Sequence, residues 1–420
     1  MKKIDRWRRL DNTAKIFSLE AESNINIFRY SVVMKKNVDK EKLIEALNKT
    51  LENYLSFKVK VCSGFFWNYF EYNSKEVIVK EEEEIPCQFI DFKENNDYLF
   101  RVTYYKNKIN LDIFHVLTDG NGAAIFLKAL IGNYLDLIND GCFSEKIEKN
   151  PVEYQDEYLR NFDKKDKAKH NTDLAFQIKG NILNNVNNTY HYILDVSEVK
   201  KISKENGVSI TEYLTALYIY AMYTSIYDGR CGKEIIITVP IDLRKYYGVE
   251  TLSNFFACMD INPRLVDNNV VDFDEALALV HEEFKNKLTE ERVKGYLNRD
   301  VRLGMNLPMR LVPLFIKKFF ISILCKVINR TVTSTVSNVG IINFEEKYKK
   351  DIDNVFVLVL PGRVQKIKCT ICSFEGKLNV TINSNIDDHK FEERFYSLLK
   401  KKVKNIEVIS NSDIDFDKIK

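Results

Sequence analysis

Apolar and polar positions along the chain follow two rhythms, and the sequence switches between them many times. Ile27 to Val33 is rich in β-branched and aromatic residues and predicts a strand. Asp39 then offers a short carboxylate for a helix N-cap. Leu43, Leu47, Leu51 and Leu55 recur every fourth residue behind it and predict a helix with one apolar stripe. Phe57 to Phe70 predicts a hairpin around Ser63-Gly64. Tyr98–Tyr105 and Ile109–His115 predict a second, across Lys106-Asn107-Lys108. A turn, Asp119-Gly120-Asn121-Gly122, leads into a helix with Ala123, Leu127, Leu130, Ile131, Tyr134 and Ile138 on one side.

Between about Phe143 and Asn188 the chain turns rich in Lys, Asp, Glu and Asn, the composition of a solvated crossover. The same rhythms then resume. A strand is predicted near Tyr190–Val196. Ser209 and Glu212 form a capping-box signature that opens a helix to about Ile226. Further strands are predicted at Glu234–Pro240, Asn254–Asn262, Val332–Asn338, Val355–Leu360, Val364–Phe374 and Lys377–Asn383. Further helices are predicted at Phe273–Leu288, Met309–Asn329 and Phe391–Val408. Both halves mix sheet and helix, so the fold class is α/β (α+β). The expected division is residues 1–165, a crossover at 166–188, and residues 189–420.

A length of 420 residues suits two such units of about 200 residues each. The 63 basic and 60 acidic residues leave a net charge of +3, too little for the bulk basic field of a nucleic-acid binder. The abundance of Lys, Asn and Ile is what an AT-rich bacterial genome produces. The opening residues carry no apolar signal region, and the longest apolar run, Leu311 to Ile328, is interrupted by Lys317, Lys318 and Lys326. A cytoplasmic location is expected. Eight scattered cysteines are not a disulfide framework. Cys369 and Cys372 have CxxC spacing but lie on a strand-like segment, where positions three apart face opposite sides, so two buried side chains are expected rather than a metal site.

The chemically informative segment is His115-Val116-Leu117-Thr118-Asp119-Gly120. A strand ends at His115 and a tight turn follows, which sets an imidazole at the end of a rigid element. With an ordinary pKa near ~6.5, a neutral imidazole can take a proton from an attacking hydroxyl. Asp119 lies beyond the strand and is better placed to fix the turn than to relay protons. Gly120 permits backbone angles closed to other residues.

His115-x-x-x-Asp119-Gly120 resembles the active-site motif of the chloramphenicol acetyltransferase-like superfamily of CoA-dependent acyltransferases. Three further blocks, in the order that family uses, are similar to its alcohol acetyltransferase branch. They are Trp7 to Phe17, then Val239-Pro240-Ile241-Asp242-Leu243-Arg244 with Thr251-Leu252-Ser253-Asn254-Phe255-Phe256, and Thr335-Val336-Ser337-Asn338-Val339-Gly340. The resemblance implies two similar sandwich domains with the histidine in a tunnel between them. It implies His115 as general base, Asp119 in a salt bridge for which Arg244 is the candidate partner, and Ser337 or Asn338 as candidate oxyanion or substrate contacts. It further implies acyl-CoA as co-substrate, no permanently bound cofactor or metal, and a small or lipophilic alcohol as acceptor. A carrier-protein thioester as donor, an amine as acceptor, and a non-catalytic binding module are the alternatives. Phe114 stands where condensation domains usually carry a second histidine, which weakens the peptide-bond reading. The late Asp-Phe-Gly-Trp-Gly motif of the plant enzymes is absent.

Other residues are expected to be structural. Trp7, Arg8 and Arg9 should anchor the N-terminal segment, with CoA phosphates as the alternative. His281 lacks the second histidine of a zinc motif. His170, His191 and His389 show no partner in the sequence, and the run Glu81 to Glu84 should be a solvated loop. Phe315, Ile316, Phe319 and Phe320, beside Lys317 and Lys318, predict a core or domain-interface helix. The alternative is a face that docks on a membrane, and membrane contact is not expected.

Overall fold

The computed structural model describes residues 7–19, 26–82, 90–139, 155–165, 173–183, 187–229, 232–305, 311–412 and 414–419. Its strands run in chain order β1 (Trp7–Arg9), β2 (Ile27–Met34), β3 (Val59–Ser63), β4 (Asn68–Tyr72), β5 (Val79–Glu81), β6 (Phe100–Tyr105), β7 (Lys108–Phe114) and β8 (Asn188–Asp195). They continue with β9 (Ile237–Asp242), β10 (Phe256–Ile261), β11 (Ser334–Ile341), β12 (Ile352–Val359), β13 (Ile367–Phe374), β14 (Lys377–Ser384) and β15 (Ile406–Ser410). The mixed α/β class read from the sequence holds.

Alternation sorts β7 into two faces. Ile109, Leu111 and Ile113 enter an apolar core with Phe28, Tyr30 and Val32 of β2. Against that core lie the helices Lys40–Asn53 and Gly120–Ile138, through Leu43, Leu47, Leu51, Phe126, Leu127 and Leu130. The opposite face carries a buried charged cluster where β2, β7 and β6 adjoin. Arg29 donates to both oxygens of the fully buried Asp112 at 2.5 and 2.9 Å, Arg101 reaches the same carboxylate at 2.7 Å, and Glu82 accepts from Arg29 at 2.6 Å. Burial raises the Asp112 pKa, but the two guanidinium groups outweigh it and leave it below the usual carboxylate value. Glu82 is therefore tied into this network rather than part of a solvated loop; Glu83 and Glu84 lie outside the described residues.

The five-stranded sheet has the order β12-β2-β7-β6-β5, and a seven-stranded sheet the order β10-β9-β11-β13-β14-β8-β15. A small third sheet, β1-β4-β3, carries the first of the predicted hairpins. The strands of the five-stranded sheet come from residues up to Phe114 and those of the seven-stranded sheet from Asn188 onward, with one exception. β12 comes from the late part of the chain and pairs antiparallel with β2, Val355 opposite Val32 and Val357 opposite Tyr30. It is also stitched to the larger sheet. Asn354 and Asn379 exchange side-chain hydrogen bonds at 2.7 and 3.2 Å, and the Cys372 thiol donates to Val355 O at 3.3 Å. Cys369 packs in the core of the larger sheet and Cys372 in that of the smaller, so the CxxC pair does face opposite ways along β13.

Two predicted elements end elsewhere. The last long helix stops at Lys400, and Ile406–Ser410 pairs with β8 as β15. Its alternation places Ile406 and Val408 on the core, which a continued helix would not. Of the helix expected over Met309–Asn329, the segment Leu314–Ile328 is a helix that starts behind Pro313 at φ −56°. Proline lacks the N–H and biases the residue before it away from helix. Residues 306–310 lie outside those described.

Candidate active site

The chain leaves β7 at Phe114. The backbone N–H of His115 donates to Asn26 O at 2.8 Å, and a turn closes with Leu117 N on Phe114 O, also 2.8 Å. Val116 and Leu117 enter the core beneath. Thr118 donates its hydroxyl to Leu252 O at 2.6 Å, tying the loop to the segment before β10.

Asp119 then does two jobs. Its Oδ1 accepts from Gly122 N at 3.1 Å as the N-cap of the helix Gly120–Ile138. Both its oxygens also face Arg244, Nη1 to Oδ2 at 2.9 Å and Nη2 to Oδ1 at 3.0 Å. Phe255 N adds a third donor at 2.8 Å. The guanidinium is completed by Asp242 Oδ1 at 3.1 Å and by the carbonyls of Thr251 and Ser253 at 3.0 and 2.7 Å. A bidentate, largely buried ion pair of this kind fixes orientation as well as distance. It joins the His115 loop to the β9–β10 region of the larger sheet.

The glycine requirement falls two residues later than expected. Gly120 lies outside the positive-φ region, and a Cβ there would rest 3.4 Å from the Tyr30 hydroxyl. At Gly122 a Cβ would come 2.0 Å from Thr118 Oγ1 and 2.8 Å from Leu252 O, so close approach rather than backbone angle excludes a side chain.

His115 keeps part of its surface accessible. Its ring is walled by Phe17 and Phe28, each 5.0 Å away between centroids, and by Phe256 at 5.3 Å. Nδ1 lies 2.9 Å from Asn254 Oδ1. The other end of that amide, Nδ2, donates to Asp11 Oδ2 at 3.1 Å, and Asn254 N reaches the same oxygen at 3.3 Å. Asp11 is fully buried and caps the helix Asn12–Phe17 through Ala14 N at 2.7 Å. The chain of partners assigns the protons. A carboxylate accepts, so the amide nitrogen faces Asp11 and the amide oxygen faces the ring. That oxygen also only accepts, so Nδ1 carries the hydrogen and a neutral ring is left with Nε2 unprotonated. Burial holds the His115 pKa below its ordinary 6.5. Asp119, the loop backbone and Asn254 pull upward without reversing the shift, and Lys368 adds to the lowering.

Neither Asn254 nor Asp11 was singled out from the sequence as a site residue. Both lie inside the quoted family-like blocks, which was the one signal available. The structure brings together His115, Asp119 and Arg244. The late strand β11 reaches the same loop from the other side. A bulge between Asn338 and Gly340 sets Val339 Cγ1 3.5 Å from where a Cβ on Gly120 would stand. Asn338 is engaged at both ends of its amide, donating to Thr211 Oγ1 at 2.7 Å and accepting from Gly340 N at 2.9 Å. Ser337 sits partly exposed just before the bulge.

The remaining histidines are placed as follows. His191 lies 2.8 Å from Thr381 Oγ1, and its pKa falls to about 3 through burial and the nearby Lys108. His389 lies 2.8 Å from the Tyr190 hydroxyl, and His281 is 2.9 Å from Glu212. These partners come from distant segments and are invisible in the sequence; His170 lies outside the described residues. Arg8 donates to Ser56 O at 2.6 Å and stacks over Phe70, which anchors β1 as expected. A separate hollow of about 320 Å³, lined by segments that lead into β9, β11 and β13, is rimmed by Lys233, Arg330, Arg363 and Lys366, none of them part of the His115 cluster.

No protein-family model matches this sequence, and no curated protein matches it. Solved structures do match the fold. TRI101 of F. graminearum complexed with coenzyme A and deoxynivalenol superposes with a TM-score of 0.59 at 10% identity, over 96% of this chain and 99% of that one. TRI3 trichothecene 15-O-acetyltransferase from Fusarium sporotrichioides gives 0.60 at 10%, over 94% and 95%. The condensation domain of the Monacolin K polyketide synthase MokA gives 0.60 at 10%, over 94% and 97%. The chain thus has, over nearly its whole length, the fold these acyltransferases and condensation domains share.

Proposed function

We infer that this protein moves an acyl group from acyl-CoA to an alcohol, with His115 as general base. The observation that carries the reading is the run Asp11–Asn254–His115, which leaves Nε2 of a neutral ring as the nitrogen able to accept a proton. In the step itself the hydroxyl proton passes to Nε2 as the oxygen attacks the thioester carbonyl. The tetrahedral oxyanion collapses, the C–S bond breaks, and the imidazolium returns its proton to the departing thiolate. Ester and free thiol result, with no covalent intermediate on the enzyme. Ser337 is the candidate donor to the oxyanion; Asn338 shapes the bulge that presents it. Asp119 and Arg244 hold the loop and do not touch substrate.

The coenzyme A complex and the 15-O-acetyltransferase among the fold neighbours support the choice of donor and acceptor. The condensation-domain neighbour supports a second reading, transfer from a carrier-bound thioester or to an amine. The experiment is thiol release from short and long acyl-CoAs with panels of alcohols and amines, wild type against His115→Ala. Release that needs an alcohol and His115 supports the first reading. Turnover only with a carrier-bound thioester supports the second. Transfer indifferent to His115 overturns both.

A further inference from the structure

The helix Leu314–Ile328 is amphipathic the wrong way round for a soluble surface. Its inward face is Leu314, Lys317, Ile321 and Cys325, packed against Ile16, Leu19 and Trp67. Its outward face carries two adjacent ladders at four-residue spacing: Phe315, Phe319, Ile323 and Val327, then Ile316, Phe320 and Leu324. All are exposed, Phe315 to 73% and Phe319 to 64%. Their spacing predicts a core or domain-interface helix; the structure turns these residues outward instead.

The patch extends beyond the helix. The tip of the β3–β4 hairpin presents Phe65, 70% exposed, and Phe66. The two parts are clamped together, with Leu314 N donating to Phe65 O at 2.8 Å and Lys317 Nζ to Phe66 O at 2.7 Å across the Trp67 ring. An apolar surface this continuous marks an interaction site rather than scattered surface residues.

Charge identifies the occupant. From Val301 to Phe344 the chain holds six Lys and Arg and no Asp or Glu, although acids make up 60 of its 420 residues. Lys318, Lys326 and Arg330 are exposed on or just past the helix. We propose that this face binds the surface of an anionic phospholipid bilayer, with the phenylalanines entering the acyl boundary and the cations meeting headgroup phosphates. A second copy of the chain, laid face to face, would meet the same basic stretch, which from Val301 to Phe344 offers no Asp or Glu to pair with it. The helix has 15 residues and spans about 22 Å, short of the ~30 Å hydrocarbon core, so it lies along the bilayer rather than across it. No helix among the described residues is long and apolar enough to cross a membrane.

The face also lies close to the candidate site. The inward side of the helix contacts Ile16, and the adjacent Phe17 walls the His115 ring. On the acyl-transfer reading, on which this last step alone rests, the acceptor is then a bilayer-resident lipophilic alcohol.

The test is flotation of the full chain with vesicles of phosphatidylcholine alone and with phosphatidylglycerol added. The wild type should partition onto the anionic vesicles and release as salt rises. Phe319→Glu with Phe320→Glu should lower that partition by at least about tenfold, with circular dichroism and turnover of a water-soluble alcohol unchanged. Absence of binding to anionic vesicles overturns the proposal, as does binding that the double variant leaves intact. A lipid-free dimer that the variant dissociates overturns it in favour of a second copy. Because vesicle binding is read without turnover, its failure is distinct from failure of the transfer reading.

Discussion

Asn254 Oδ1 stands 2.9 Å from Nδ1 of His115 and can only accept there, so one side chain sets the proton position of the other. If that setting matters to transfer, Asn254→Ala should lower kcat by roughly tenfold or more, a share of the 100- to 10,000-fold a general base supplies. KM for the acyl donor should move little. A merely structural role for Asn254 would instead show as lost helicity or a lower Tm with kcat kept in the folded fraction.

The pH profile follows from the environment of the ring. Burial holds the His115 pKa below 6.5, so the base stays unprotonated at neutral pH. The log of kcat/KM should rise with pH through an inflection below the ordinary histidine value and be flat by pH 7 to 8. An inflection clearly above 6.5 would contradict the assignment of this imidazole as the base.

Breaking the Asp119–Arg244 pair should cost stability first. Removing one partner strands a buried charge, at about 3–5 kcal/mol. Asp119→Ala also removes the N-cap of the helix Gly120–Ile138, whereas Asp119→Asn keeps an oxygen for Gly122 N. Chemical denaturation should therefore rank wild type above Asp119→Asn above Asp119→Ala.

The two glycines of the loop should respond differently to alanine. Gly122→Ala drives a methyl into Thr118 and the Leu252 carbonyl, which pulls the loop from the β10 side. Gly120→Ala meets only the Tyr30 hydroxyl and Val339 at contact distance. Tm should fall by several degrees for the first and little for the second.

Glu392 offers a prediction away from the site. It is fully buried, and burial pushes its carboxyl up to about 8, with Asp388 and Glu393 adding to the rise. The folded chain thus keeps a proton that the unfolded chain gives up near 4.5, so stability declines as pH rises between those values. Glu392→Gln removes the dependence. Its Tm should exceed that of the wild type at pH 8, with the gap closing toward pH 5.

What the sequence made legible was mostly what is contiguous. His115, the turn and Asp119 lie within five residues, and the alternation of β7 points to where the imidazole stands. Arg244 was reachable because its block follows the others in a familiar order. Asp11 and Asn254 lie in the same blocks, but nothing marks them there as partners of the imidazole, since a bond across 243 residues leaves no local trace. The stretch Ile406–Ser410 reads as helix because Ile406 and Ile409 continue the helical spacing of Phe391 to Leu399, while Val408 alone breaks it. The face of Phe315 and Phe319 was misplaced for a different reason. Apolar residues at helical spacing show that a helix has a face, not what covers it.

The place of β12 has a consequence for how the chain is made. The open flank of β2 waits for Ile352–Val359, so about three hundred residues must leave the ribosome between the two partners. Until then the smaller sheet offers an unpaired hydrogen-bonding rim, the kind on which nascent chains associate. A fragment ending at residue 165 should therefore be prone to precipitate. Residues 352–359 added as a peptide are the natural reagent to rescue it.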